Sequence, residues 1–316
     1  MKGSIVNRVV LGVFTAVCIA CGGAGGGTAG GVLGQGDGHY DGARMVFVAA
    51  NILDHDTDIY AVDADGDYVV LAQDAAKERE PALSPDGTKV VYASLQSGTY
   101  DLYLKSASDP TAAAVQLTSG AESDEFPTWS PDGTMIAFTR RSVGSPGIEH
   151  IYRINVDGTG LVQLTAGEGY DPKFSPDGTQ IYYGSFSGGS GSGDLFVMNS
   201  DGTNQTQLTS TPTTNDYLPV IEGNKIIFIA EDVLDPVGVG NKIMCCDLNG
   251  SNVQLYHGGT GAFVDFPAFF NGQLFVTDGA KIYFYHSPSS DVQGLYLNPF
   301  YISPDLEFSD GSFAGG

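Results

Sequence analysis

The sequence predicts an all-β chain, a six-bladed β-propeller of four-stranded antiparallel blades. Three observations carry that prediction. The phrase Ser84-Pro85-Asp86-Gly87 returns as Ser130-Pro131-Asp132-Gly133 and Ser175-Pro176-Asp177-Gly178, each time between two apolar runs. A second phrase occurs six times: Asp58-Ile59-Tyr60, Asp101-Leu102-Tyr103, His150-Ile151-Tyr152, Asp194-Leu195-Phe196, Lys242-Ile243-Met244 and Lys281-Ile282-Tyr283. Between them the strands are rich in β-branched and aromatic residues, and apolar positions show no helical period. Internal repetition at about 45 residues with four strands per unit is the signature of propeller blades.

Taken in order, residues 1–20 read as a signal peptide. Lys2 and Arg8 form the positive start, and Val9 to Ala20 is an apolar run too short to span a bilayer. The run ends Cys18-Ile19-Ala20-Cys21-Gly22. Small residues before a Cys resemble the bacterial lipoprotein box, which makes Cys21 the expected lipidation site. Cys18 is the other position open to acylation, and an ordinary cleaved leader is the competing reading. Residues 21–40 then hold the lipidated Cys and a tether, with nine glycines between Gly22 and Asp37 and no residues from which to build a core.

The propeller is expected over residues 41–305. The glycines that precede the second strand of each blade stand at 42, 87, 133, 178, 223 and 272, so successive spacings are 45, 46, 45, 45 and 49. Each unit is labelled A to D. Strand A ends in Ser-Pro-Asp-Gly or a degenerate copy, B follows the glycine, and C is the Asp-Ile-Tyr strand. D ends in Gln-Leu-Thr after an Asp-Gly turn. Apolar runs such as Ile226-Ile227-Phe228-Ile229 fit blades covered on both faces. Blade one starts at its B strand, and Pro299-Phe300-Tyr301-Ile302-Ser303-Pro304-Asp305 reads like the missing A strand. Pairing of that segment with Met45–Val48 is expected to close the ring and hide a sheet edge. Residues 306–316 form a tail.

Net charge is −23 from 14 Lys+Arg against 37 Asp+Glu. That balance excludes nucleic acid as a partner, since phosphates require Lys and Arg. It favours cationic partners, metal ions or basic protein surfaces. The four cysteines do not read as a disulfide framework: Cys18 and Cys21 lie in the leader region, and Cys245 and Cys246 are neighbours in one strand, facing opposite ways.

Pro-x-[Trp/Phe]-Ser-Pro-Asp-Gly, an apolar strand, Asp-Ile-Tyr and then Gln-Leu-Thr resemble the TolB-type propeller repeat, also called WD40-like or PD40. The resemblance covers about residues 41–305. The signatures of true WD40 and of kelch repeats are absent. TolB-type proteins carry an α/β domain ahead of the propeller, and here tether residues stand in its place. The resemblance implies a non-catalytic envelope propeller that binds protein partners. Similar repeats in oligopeptidases and oligogalacturonate lyases keep a second reading open, since fold alone does not fix function.

Antiparallel blades place the short A–B and C–D turns on one face and the longer B–C and D–A loops on the other, where binding residues are expected. On that loop face, acids precede each strand-A proline: Glu78, Glu80, Asp124, Glu125, Asp171, Asp216 and Asp265. They are expected to form an anionic ring at the channel mouth that takes Ca2+ or a partner's Lys or Arg. The competing reading is that they cap turns and stay solvated. Asp54, Asp56 and Asp58 alternate as hard oxygen ligands for Ca2+ do, although Asp58 also aligns with Asp101 and Asp194 and so has a structural reading. No EF-hand, nucleophile elbow, paired-His metal spacing or phosphate cradle is present, so no catalytic residue is expected. Tyr100, Tyr170 and Tyr217 are candidates for a surface that stacks on sugar or peptide.

The function expected from the sequence is therefore a non-catalytic lipoprotein of the cell envelope. It would be exported and lipid-anchored, with the outer membrane as its site, facing the periplasm or the cell surface. Its acidic D–A/B–C face would bind a protein. The alternative is a carbohydrate-binding or polysaccharide-lyase-like propeller with loop carboxylates and a divalent metal.

Overall fold

Alternating apolar residues on both sides of each strand demand a neighbour on both faces, and the tertiary structure supplies one in consecutive sheets. The computed structural model describes residues 45–50, 57–62, 68–73, 76–143, 148–186, 192–232, 242–257, 265–270, 273–277, 282–285 and 293–295. All regular structure among them is β-strand, and none of it is a helix long and apolar enough to cross a membrane. Cys21, the leader, the tether, Asp54, Asp56 and the expected closing strand at 299–305 lie outside the described residues.

The strands form six sheets in chain order. The first holds β1 (Met45–Ala50), β2 (Thr57–Val62) and β3 (Tyr68–Ala72). The second holds β4 (Glu78–Leu83), β5 (Lys89–Ser94), β6 (Asp101–Ser106) and β7 (Val115–Gln116). The third holds β8 (Ser123–Trp129), β9 (Met135–Arg141), β10 (Glu149–Asn155) and β11 (Val162–Gln163). The fourth holds β12 (Tyr170–Phe174), β13 (Gln180–Ser185), β14 (Asp194–Asn199) and β15 (Thr206–Gln207). The fifth holds β16 (Thr214–Glu222), β17 (Lys225–Asp232), β18 (Lys242–Asp247) and β19 (Gln254–His257). The last holds β20 (Asp265–Phe270), β21 (Gln273–Thr277), β22 (Ile282–Tyr285) and β23 (Gln293–Leu295). Every sheet is an antiparallel meander, and the first has three strands among the described residues. The A strands β4, β8, β12, β16 and β20 pack successively against one another, which sets them on the inner side of the array.

The period of two sorts each strand between two cores. Val90 and Tyr92 pack with Val46, Ile59 and Leu71 of the preceding sheet. Val91 and Ala93, one residue out of phase, join Trp129, Ile136 and Phe138 of the following sheet. The same split recurs at Ile181 and Tyr183 against Tyr182. A fully buried aromatic such as Phe138, at 0% exposure, represents about 3–5 kcal/mol against truncation to Ala. Cys246 belongs to one of these inter-sheet cores. Both it and Cys245 are free thiols, and burial pushes the Cys246 thiol up to about 12.

Local chemistry explains the repeated phrases. In the first A–B turn, Ser84 Oγ donates to Asp86 Oδ1 at 2.6 Å, and Thr88 donates to the same oxygen through N and Oγ1. Lys89 N returns to Ser84 Oγ. Asp132 and Asp177 repeat the pattern with Ser130 and Thr134, and with Ser175 and Thr179. Gly87, Gly133 and Gly178 take φ of 72°, 69° and 73°, where a side chain is strained. The Gln-Leu-Thr phrase is a clasp between strands D and C. Thr118, Thr165 and Thr209 accept the N–H of Leu102, Ile151 and Leu195 on their hydroxyls. Gln116 and Gln207 donate to the C-strand carboxylates of Asp101 and Asp194.

Candidate functional site

The pre-proline acids are organised by their offset from the proline, which separates them into three positions. Three residues before it stand Glu78, Asp124 and Asp216; two before it, Glu125 and Asp265; immediately before it, Glu80 and Asp171. The A strand is irregular there. Its pairing with strand B slips between Arg79 and Ala82, Glu125 and Thr128, Tyr170 and Lys173, and Tyr217 and Val220. At each bulge the pre-proline residue is left-handed: Glu80, Phe126, Asp171 and Leu218 have φ of 54°, 53°, 53° and 51°. Non-glycine residues rarely hold that conformation, and one before Pro is ordinarily extended. Four equivalent instances on the inner strands therefore mark a conserved geometry of the repeat, sustained by the surrounding bonds.

The outermost of the three positions faces the neighbouring blade. Asp124 N–H donates to Tyr100 O at 2.7 Å, Gly169 N–H to Glu149 O at 2.8 Å and Asp216 N–H to Gly193 O at 2.8 Å, so one backbone bond recurs at three junctions. The side chains are neutralised differently at each. Glu78 Oε1 accepts from Ser94 Oγ. Asp124 receives a two-pronged guanidinium from Arg140, Nε–Oδ1 2.6 Å and Nη2–Oδ2 2.7 Å. Asp216 accepts from the hydroxyls of Thr211 and Thr214. Asp101, at the start of β6, faces Asp124 and is held above the usual carboxylate range by burial, offset in part by Ser97 and Gln116. Its Oδ2 accepts from Ser97 Oγ and from Gln116. Asp216 is likewise raised by burial.

The other two positions converge on one network. Arg79 Nη2 lies 2.5 Å from Glu125 Oε2 and Arg79 Nε 3.5 Å from Glu80 Oε1, with the guanidinium 3.6 Å above the Tyr100 ring. Arg141 bridges Glu149 at 2.5 Å and Glu125 at 4.0 Å. Glu80 Oε2 accepts the Phe126 N–H of the next blade at 2.7 Å. Burial is the main force on Glu80 and pushes it up to about 8. Asp171 is raised to about 7, again chiefly by burial, with Lys173 opposing. All six described members of the predicted acid set are buried: Glu78, Glu80, Asp124, Glu125, Asp171 and Asp216. The side chain of Asp265 lies outside the described residues. Asp58 is also buried, at the position that Asp101 and Asp194 occupy in their blades. Among the described residues no three His, Cys, Asp or Glu side chains surround one metal-sized position.

Sequence reasoning missed Arg79, Arg140, Arg141 and Glu149. The available signal was the scarcity of basic residues, of which these three fall beside acid-bearing strands. The tyrosines are less available than expected. Tyr170 is buried and packs against Phe186, the rings tilted and their centroids 5.6 Å apart, and Tyr100 lies under Arg79. Exposed apolar residues on this face are instead Val143, Ile148 and Phe186 of the B–C loops. The opposite face holds a cleft of about 340 Å³ between two A–B turns, bounded by Pro85, Asp86, Trp129 and Pro131. Its carboxylates are held down by their own turns: hydrogen bonds from Ser84 and Thr88 lower Asp86, and those from Ser130 and Thr134 lower Asp132.

Meander sheets packed face to face, with bulged inner strands and buried carboxylates at the junctions, define a β-propeller. The repeat is more particular than that. The sequence matches the TolB beta propeller domain over residues 35–261, and the chain belongs to that family. A TolB homolog of Chlorobium luteolum is 35% identical over 153 residues, which is 48% of this chain and 33% of that protein. The chain thus matches about a third of the length of that relative. Among solved structures, a TolB-type protein of Agrobacterium tumefaciens superposes with a TM-score of 0.59 at 19% identity, covering 90% of this chain and 91% of the other. An oligogalacturonate lyase of Vibrio parahaemolyticus gives 0.62 at 8% identity, covering 93% and 80%. Both likenesses concern the fold.

Proposed function

We propose that this protein is an exported, lipid-anchored envelope propeller of six blades in a closed ring, and that it binds a protein partner on the face made by its B–C and D–A loops. The observation that carries this reading is the mixed apolar and charged surface of the B–C loops. On the turn face, Asp86, Asp132 and Asp177 are consumed by hydrogen bonds within their own turns. On the loop face, Val143, Ile148 and Phe186 stand exposed beside the partly exposed Arg141–Glu149 pair, a mixture of apolar and charged groups suited to an interface. Membership of the TolB propeller family supports a binding role. The likeness to oligogalacturonate lyases assigns no chemistry.

The test is site-specific photocrosslinking in cells, with the reactive residue at Val143 or Phe186 on one face and at Thr134 or Thr179 on the other. A discrete adduct from the loop-face positions is expected. Adducts confined to the turn face would overturn the assignment. Intact-mass measurement of the mature protein tests the anchor: a product without acyl mass at Cys21 refutes it.

A further inference from the structure

Glu80 and Asp171 do something that neither the turn phrases nor a docking surface requires. Each sits at a left-handed bulge, and each carboxylate reaches the backbone N–H of the bulge residue in the next blade. Glu80 meets Phe126 and Asp171 meets Leu218. The alternate members of the series, Phe126 and Leu218, carry no acceptor, so the two acids are the only side-chain clips of this kind among these four left-handed bulges. The surroundings are short of positive charge. Around Glu80 stand Arg79 on its own strand, Glu125 on the next blade, Asp171 on the one after, and Arg141. Around Asp171 stand Lys173, Glu149, Glu125, Glu80 and Tyr170. Two arginines are shared among Glu80, Glu125 and Glu149.

We propose that Glu80 and Asp171 are proton-operated clips that fasten blade two to three and blade four to five on the loop face, closed when the carboxyls are neutral and loosened when they ionise. The clip N–H and the nearby cation, Arg79 for Glu80 and Lys173 for Asp171, favour the ionised carboxylate, but burial opposes them and prevails; a neutral carboxyl still keeps its carbonyl oxygen as acceptor for the N–H and spares the buried cluster a further negative charge. Ionisation adds that charge beside Glu125 in a site with little water, and outward movement of the bulge relieves it. The direction follows from linkage. Both groups hold their proton more tightly folded than unfolded, to about 8 for Glu80 and about 7 for Asp171. The stability they contribute is therefore complete below their unfolded values and declines as pH rises through 7 and then 8. Nothing here rests on the identity of a partner.

The experiment compares the full chain with Glu80→Gln, Asp171→Asn and the double substitution, which keep an acceptor and remove the titration. Hydrogen exchange at Phe126 and Leu218, corrected for intrinsic base catalysis, is expected to speed up by about ten-fold from pH 6 to pH 9 in the native protein and to change much less in the double variant. The melting temperature should fall over the same range in the native protein, with a flatter profile in the variant. Infrared spectroscopy of the native protein supplies a reading that needs no variant: a protonated carboxyl C=O band present at pH 6 and absent at pH 9. Equal pH slopes for native and double-variant proteins, or no such band at pH 6, would overturn the proposal. Asp109→Asn, at an exposed acid away from the bulges, controls for general charge.

Discussion

Removing the guanidinium that serves Asp124 should be among the costliest single changes in the described chain. Arg140 forks onto both oxygens of a carboxylate with 1% exposure, and its own side chain is 13% exposed. It also lies 4.8 Å over the Tyr152 ring, and Asp101 stands close by with the same sign of charge as Asp124. Among the described residues the register places no cation opposite the equivalent acids: Ser94 and Ala230 lie opposite Glu78 and Asp216. Arg140→Met retains most of the packing and strands the carboxylate. Breaking a buried pair from one side costs about 3–5 kcal/mol, a large share of a typical folding free energy. Asp124→Asn should cost less, since the amide oxygen still accepts one guanidinium N–H and Arg140, at 13% exposure, is nearer water than the carboxylate at 1%. The double variant should cost less than the sum of the singles, because no uncompensated charge remains. Urea titrations of the four proteins at pH 7 measure the cycle. A loss under about 1 kcal/mol at pH 7 for Arg140→Met, or strict additivity, would show that the pair acts as a solvated surface bridge and would refute the reasoning.

Two further outcomes follow from the turns. Gly202 has φ of 90°, and a Cβ there would sit 2.8 Å from Leu164 O of the preceding blade, whereas Gly223, at φ 57°, has nothing within 4 Å. Both Ala substitutions should carry about 1–2 kcal/mol of backbone strain, and Gly202→Ala a further loss of about 1–3 kcal/mol from the clash; equal melting temperatures would contradict this. Asp177, held down to about 2 by its turn, contributes stability above its ordinary range that is lost as pH falls toward 2. Asp177→Asn should therefore flatten the acid limb of the melting profile, and an unchanged limb would show the turn bonds to be energetically silent.

The repeat was legible in the sequence because its turns are local chemistry. Ser84, Asp86, Gly87 and Thr88 bond within five residues of one another, so the phrase specifies its own geometry wherever it occurs. The period of two in runs such as Val90 to Ala93 likewise announced strands covered on both faces. The candidate site was less legible. Asp124 and Glu125 are adjacent in sequence, yet one is held by Arg140 of its own sheet and the other by Arg79 of the preceding blade. Counting acids before a proline could not separate them, because the bulge at Phe126 turns successive side chains in ways that a simple alternation does not describe.

By itself the sequence determined the strand order, the turn types and the membership of a propeller family, since each depends on residues close together in the chain. Only the tertiary structure decided that the pre-proline acids are buried rather than solvated, which arginine each one shares, and which of them reach across to the next blade. Those outcomes depend on burial and on charges brought together from residues about 45 apart. In that setting the cost of desolvation, set by packing, outweighs the ordinary preference of a carboxylate for water.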